Sequence, residues 1–327
     1  MAPALSDRPA TCSSMQLFAV ASRISSKPHT FLISNVNIIS NTVLQFPPPQ
    51  VQRTATTQIS SKGLHKTPQS GGVQNATTRC DLPSPAVAVR NLVEQAQFAH
   101  LCTIMSNMHH RRAGYPFGTI VDFAADGAGY PIFGLSPLAI QTRNIIEDPR
   151  CSLVMQMPGW GGLANARVTM FGDVYKLPND LQDTAADIIH SKISTADSNT
   201  RYVSGNAVYF RMDRILDIFF VGGFGTVQWL DTEEYTRAQP DKIVLDHPNH
   251  TLQVLNQQYC DSMKHFFMRA DESVHVDDAA FISIDRLGAD VRIRCGGEYS
   301  VERLGFSLPV ESLVDVQTDL DKKFNEM

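Results

Sequence analysis

The stretch GYPIFGLSPLAIQTRNI, residues 129–145, decides how the chain is read. An apolar run from Tyr130 to Leu135 ends in Ser136 and passes through Pro137 into a helical stretch, Leu138 to Glu147, that carries Thr142, Arg143 and Asn144. Strand, proline turn and helix in that order place hydroxyl, guanidinium and amide donors beside the free backbone N–H groups of a helix start. That set suits a phosphate or a carboxylate. The same residues describe a helix cap with a solvated face equally well.

Outward from this stretch the period is short. Leu101 to Ser106, Phe117 to Ala124, Cys151 to Met157, Arg167 to Leu177, Ala207 to Arg211 and Ile215 to Val221 are strand-like runs, separated by turn signals such as Ala125-Asp126-Gly127-Ala128-Gly129 and Met157-Pro158-Gly159. An amphipathic helix precedes them. Ser84 is its N-cap, Pro85 its first residue, and Val89, Leu92, Val93 and Ala96 follow at helical spacing. With a further helix from Asp180 to Lys192, the expectation for residues 84–230 is an antiparallel barrel with inserted helices. Asp231 to Pro240 (DTEEYTRAQP) reads as a linker. A helix over Leu252 to Met268, strands at Ala280 to Asp285, Ala289 to Cys295 and Tyr299 to Leu304, and a closing helix from Val310 to Phe324 make residues 241–327 a small α+β domain.

The first 80 residues are of another kind. They hold 20 Ser or Thr, a Pro run at Pro47 to Pro49, seven basic side chains and one acid, Asp7, for a net charge of +6. That is the composition of an organelle transit peptide, and Ala2 with the wealth of hydroxyls favours a plastid, with processing near Arg79 or Cys80. The remainder carries 21 basic and 32 acidic residues, net −11, which argues against a nucleic-acid surface. No apolar run approaches the roughly 20 residues of a membrane span, so a soluble protein is expected. The six cysteines, Cys12, Cys80, Cys102, Cys151, Cys260 and Cys295, show no CxxC pair and no zinc spacing, and read as reduced thiols.

No Walker loop, GxSxG, HExxH or Rossmann fingerprint is present. The glycine cluster Val221-Gly222-Gly223-Phe224-Gly225 follows an apolar strand but no long helix follows it, so it reads as a tight turn or bulge. Among the histidines, His109 and His110 precede Arg111 and Arg112 in a hairpin loop, read either as solvated or as the mouth of a cleft. His265 reads as helix packing or surface, and His247 and His250 as flanks of a helix start. Trp160 and Trp229 read as core or interface, with a flat-ligand pocket as the alternative.

With these residues in view, the chain resembles the flavin-binding split-barrel superfamily that contains pyridoxamine 5'-phosphate oxidase, and within it the HugZ branch of haem-utilisation proteins. The carrying pieces are YPFGTIVDFA (Tyr115 to Ala124), residues 129–145, DPRCSLVM (Asp148 to Met155), ARVTMFGDV (Ala166 to Val174), FFVGGFG (Phe219 to Gly225) and RLGADVRI (Arg286 to Ile293), in order. The resemblance implies a homodimeric split barrel with its ligand in a cleft at the dimer interface, followed by a small C-terminal domain.

In flavin-binding relatives the FMN phosphate would be met by Thr142 and Arg143, with Ser136 and Asn144 nearby and Arg111 or Arg112 assisting. In haem-binding relatives the same cleft would take the macrocycle, with Arg on propionates and a His on iron. Three positions depart from the bacterial pattern. Phe219-Phe220 stands where a His precedes the glycine turn, Gln141 replaces a His before Thr142-Arg143, and Val254 to Tyr259 (VLNQQY) keeps Asn256 but lacks both histidines of the usual helix. His109 and His110 are then the candidate iron ligands. The implied functions are plastid haem binding with oxidative haem degradation, an FMN-dependent oxidoreductase, or a non-catalytic regulator that binds glutamyl-tRNA reductase.

Overall fold

The computed structural model describes residues 82–108, 112–159, 165–194, 206–222, 227–245, 247–270 and 275–325. The expected leader, His109, His110, Arg111, Trp160 and most of the glycine cluster lie outside the described residues.

Helix α1 (Pro85–Gln95) leads into β1 (Phe98–Ile104), β2 (Pro116–Ala125), β3 (Pro131–Leu135), α2 (Ile140–Glu147), β4 (Arg150–Gln156) and β5 (Arg167–Lys176). After a short 3₁₀ turn come α3 (Gln182–Ser194), β6 (Val208–Val221) and β7 (Val227–Leu230). The sheet order is β3-β2-β1-β4-β5-β6-β7, and a further pairing of β3 with β6 closes six antiparallel strands into a barrel. Strand alternation explains the packing: Leu101, Phe123, Phe133, Leu153, Met155, Met170 and Met212 all point inward and are fully buried. Burying such a side chain contributes about 1.5–3 kcal/mol each.

The two expected runs Ala207 to Arg211 and Ile215 to Val221 are one continuous strand, β6. Its polar middle survives on the sheet because the pairing with β5 shifts register on both sides of Gly172-Asp173. At Gly172 a Cβ would collide with the Arg214 carbonyl oxygen and the Met212 side chain, so glycine alone lets the strands pass this closely. The bend lets β6 pair with β3 at its start and with β7 at its end.

The stretch expected as a linker is ordered structure instead. Helix α4 (Thr232–Arg237) begins on Asp231, whose carboxylate accepts from the N–H groups of Glu233 (2.9 Å) and Glu234 (3.0 Å). Its Tyr235 is fully buried in the barrel core, and the phenol donates to the Gly129 carbonyl at 2.7 Å. Gly129 has φ +89 and a Cβ there would strike Arg90 and Tyr235, so this turn also requires glycine.

The second lobe comprises α5 (Lys242–Leu245), α6 (Pro248–Ala270), β8 (Asp278–Asp285), β9 (Gly288–Cys295), β10 (Glu298–Gly305) and α7 (Leu313–Asn325). The three strands form a meander in the order β10-β9-β8. Strand β8 lies at an edge, and side-chain amides complete it. Asn256 of α6 donates to the Phe281 carbonyl at 2.9 Å and accepts from its N–H at 2.7 Å. Gln95 of α1 does the same for Ile284, at 3.1 and 3.2 Å. One turn earlier on α1, Asn91 donates to the Asp241 carboxylate and accepts from the Asp241 N–H, both at 2.8 Å. The two lobes are thus joined by reciprocal amide bonds from one helix.

Tyr235→Phe is expected to lower the unfolding free energy by about 1–3 kcal/mol in urea denaturation, because it strands a buried carbonyl. Arg237→Ala, which removes an exposed ion pair with Glu233, should change it by less than about 0.5 kcal/mol.

Candidate functional site

The bend from β3 into α2 is built as the sequence suggests, but its side chains divide between two directions. Ser136 closes β3, and its carbonyl accepts from the Thr142 hydroxyl at 2.7 Å. Thr142 is therefore buried and committed to holding the bend. Asn144 is fully buried; its oxygen accepts from the Ser106 N–H at 2.9 Å and its nitrogen donates to the Thr103 hydroxyl at 2.9 Å. Sequence reading put Asn144 among the cofactor contacts, and the structure instead uses it to fasten α2 to the end of β1. A buried amide must find both partners, and β1 supplies them.

Arg143 lies between these two inward residues and is exposed, as is Arg112. The Ser136 side chain, half-buried, accepts from the Leu138 N–H at 3.4 Å. Of the residues expected to meet an anion, Ser136 and Arg143 at the start of α2 remain accessible. Residues that sequence reading missed lie beside it. The Asn107 amide donates to Glu147 at 2.6 Å and its backbone N–H reaches both carboxylate oxygens at 3.1 Å. The available signal was the polar run Ser106-Asn107 directly after an apolar strand.

The outer face of the barrel is unusually apolar. Phe171, Phe219 and Trp229 cluster on β5, β6 and β7, with ring centroids 6.1 Å apart for Phe171–Trp229 and 5.0 Å for Phe219–Trp229. Trp229 remains 53% exposed and Ile120 on β2 62%, and Leu216 and Tyr175 are also exposed. Exposed apolar surface of this kind marks an interaction surface. Phe220, directly ahead of Val221 and the glycine turn, is buried in the core.

His250 and His265 are exposed on α6. His247 precedes that helix and its carbonyl accepts from the Thr251 N–H at 3.0 Å. Among the described residues no group of three or more His, Cys, Asp or Glu is placed to hold a metal ion, and no helix is long and apolar enough to cross a membrane. Cys151 is no nucleophile, since burial pushes its thiol up to about 12.

Closed antiparallel barrel, inserted helices and a trailing α+β lobe define a split-barrel protein. Residues 82–237 match the profile of the family described as "CREG, beta-barrel". The chain is 25% identical over 240 residues to the chloroplastic non-canonical heme oxygenase HOZ of Arabidopsis thaliana, covering 72% of this chain and 71% of that protein. A heme binding protein from Mycobacterium smegmatis aligns over 75% of this chain and 99% of its own, with 22% identity and a TM-score of 0.47. HutZ, the heme storage protein of Vibrio cholerae, aligns over 42% of this chain and 96% of its own, with 15% identity and a TM-score of 0.33.

Asn144→Ala should cost about 1–3 kcal/mol in urea denaturation, since it leaves the Ser106 N–H without its acceptor. Arg143→Ala should leave stability within about 0.5 kcal/mol of the parent, as an exposed side chain does.

Proposed function

We propose that the chain is a plastid haem-binding protein that takes part in oxidative haem breakdown. The observation that carries this reading is the likeness to the chloroplastic heme oxygenase, which spans 240 residues and so extends beyond the length of the barrel alone. The chemistry of the α2 bend fits the ligand. Haem presents a flat apolar macrocycle and two propionate carboxylates, and it needs guanidinium partners at its edge and apolar contact on its faces. Arg143 and Arg112 supply the former, and the aromatic outer face of β5, β6 and β7 supports the latter.

When bound, haem supplies the oxygen chemistry, and the protein supplies binding and orientation. Arg143 holds a propionate at the start of α2, where the backbone N–H groups favour negative charge. Ser136 lies beside it. Asn144 and Glu147 keep α2 fixed to the end of β1. His109 and His110 are the ligands we assign to the iron. The same apolar face is covered by a second copy in a homodimer whose interface borders the haem cleft. The Ser/Thr-rich residues 1–80 act as the plastid leader.

Hemin added to the purified protein should give a saturable Soret band that bleaches with ascorbate in air. Arg143→Ala should weaken hemin binding about tenfold or more, the value of a charge-assisted contact. Either His109→Ala or His110→Ala should shift the Soret maximum. A bound flavin spectrum with FMN and no Soret band with hemin would transfer the α2 site to a flavin phosphate and defeat the haem reading.

A further inference from the structure

Away from α2, a cavity of about 470 Å³ opens where α1, β2, α3 and the start of α6 meet. Its apolar lining includes Phe98, Ile188 and Ile193, and its polar lining includes Glu94, Asp122, Lys192 and His247. Glu94 is the unusual member. It is partly buried, burial raises its pKa, and among the described residues none donates a hydrogen bond to its carboxylate. Lys192, by contrast, is already engaged. Its ammonium donates to the Val93 carbonyl at 2.8 Å and stands 4.1 Å from the centroid of the Phe123 ring. His247, also on the lining, has φ 53, the single non-glycine residue with positive φ among those described. Backbone strain of this kind persists where the surrounding structure holds it, and it clusters at ligand sites.

We propose that this cavity binds a small organic cation, a primary amine on a compact apolar body, whose ammonium donates to Glu94. The Glu94 carboxylate, partly buried on the cavity wall, is the acceptor that such an ammonium would meet. Two acids, Glu94 and Asp122, outnumber the one lysine of the lining, which disfavours an anion. The volume is that of a small-molecule site. The groups acting on Glu94 are Lys192 from α3, Arg90 from its own helix and Asp126 from the β2–β3 turn, with Asp122 and His247 on the cavity wall.

Two protonation steps follow for a ligand that stays charged to about pH 10. Acidification protonates Glu94, whose pKa lies above the usual carboxylate range, and binding weakens. Burial brings Lys192 down to about 8, so raising the pH through that value removes a positive charge beside the ligand and tightens binding.

The test is calorimetric titration of the full-length protein with cyclohexylammonium and with its neutral isostere cyclohexanol, at pH 5, 7 and 9. The expected result is saturable binding of the amine alone, tighter at pH 9 than at pH 7 and weaker at pH 5 than at pH 7. Glu94→Gln should weaken it about tenfold or more, and Lys192→Met should abolish the gain between pH 7 and 9. Equal affinity for cyclohexanol, or a Glu94→Gln protein that binds the amine unchanged, would overturn the proposal. Should Glu94→Gln fail to fold, the parent's pH profile decides, and a flat profile overturns it.

Discussion

The structure depends on one face of helix α1 that a simple amphipathic pattern would leave in water. Arg90, Asn91 and Gln95 are buried polar residues on a helix whose Val89, Leu92 and Val93 also face a core. The two amides are tolerated because each meets a specific partner, Asp241 for Asn91 and Ile284 for Gln95, while Arg90 donates from one nitrogen to Gly127 and leaves its Nε and Nη1 without a hydrogen-bond partner. A buried amide with both ends satisfied adds modestly to stability, but one left unsatisfied costs more than the bond was worth. That asymmetry makes α1 a specificity element. It fixes where the second lobe sits on the barrel, and the cavity walled by Glu94 and Lys192 exists only because α1 lies between them.

Barrel closure governs the α2 site in a similar way. Strand β3 delivers Ser136, and β1 delivers Thr103 and Ser106, yet the two are brought together only when β3 pairs with β6 on one side and β2 on the other. The bulge at Gly172 makes that pairing possible, so a residue far in sequence from Arg143 helps determine what Arg143 presents. The outer face tells a complementary story. Strand alternation forces Phe171 outward because Met170 must point inward, and the apolar outer surface follows from the same pleat that fills the core.

Much of this was legible in the sequence. Every expected helix and strand of the barrel and of the second lobe has a counterpart, because alternation and helical spacing are local signals. The failures share a cause. Residues 231–240 looked like a linker because their composition is polar, whereas a single aromatic, Tyr235, commits the segment to the core. The interrupted pattern of β6 looked like two strands because a bulge carries no hydrophobic signature of its own. Asn144 looked like a ligand contact because a polar residue beside Arg143 cannot reveal which way it points. The cavity beside Glu94 was invisible for a further reason: its walls come from segments up to about 150 residues apart, and neither Glu94 nor Lys192 stands in any recognisable motif.

The reciprocal amide bonds of α1 also set an order of events. Asn91 finds Asp241 across 150 residues, and Gln95 finds Ile284 across 189. Contacts of that separation close late, because the chain must surrender the entropy of a long loop before they repay it. During synthesis α1 emerges well ahead of its partners, and its amides remain bonded to water until nearly the whole chain is out. The free edge of β8 stays open for the same interval, a ready template for another strand. Helix α1 is therefore the first of the described elements to be made and the last to be locked, and its docking is the step at which the chain ceases to be vulnerable.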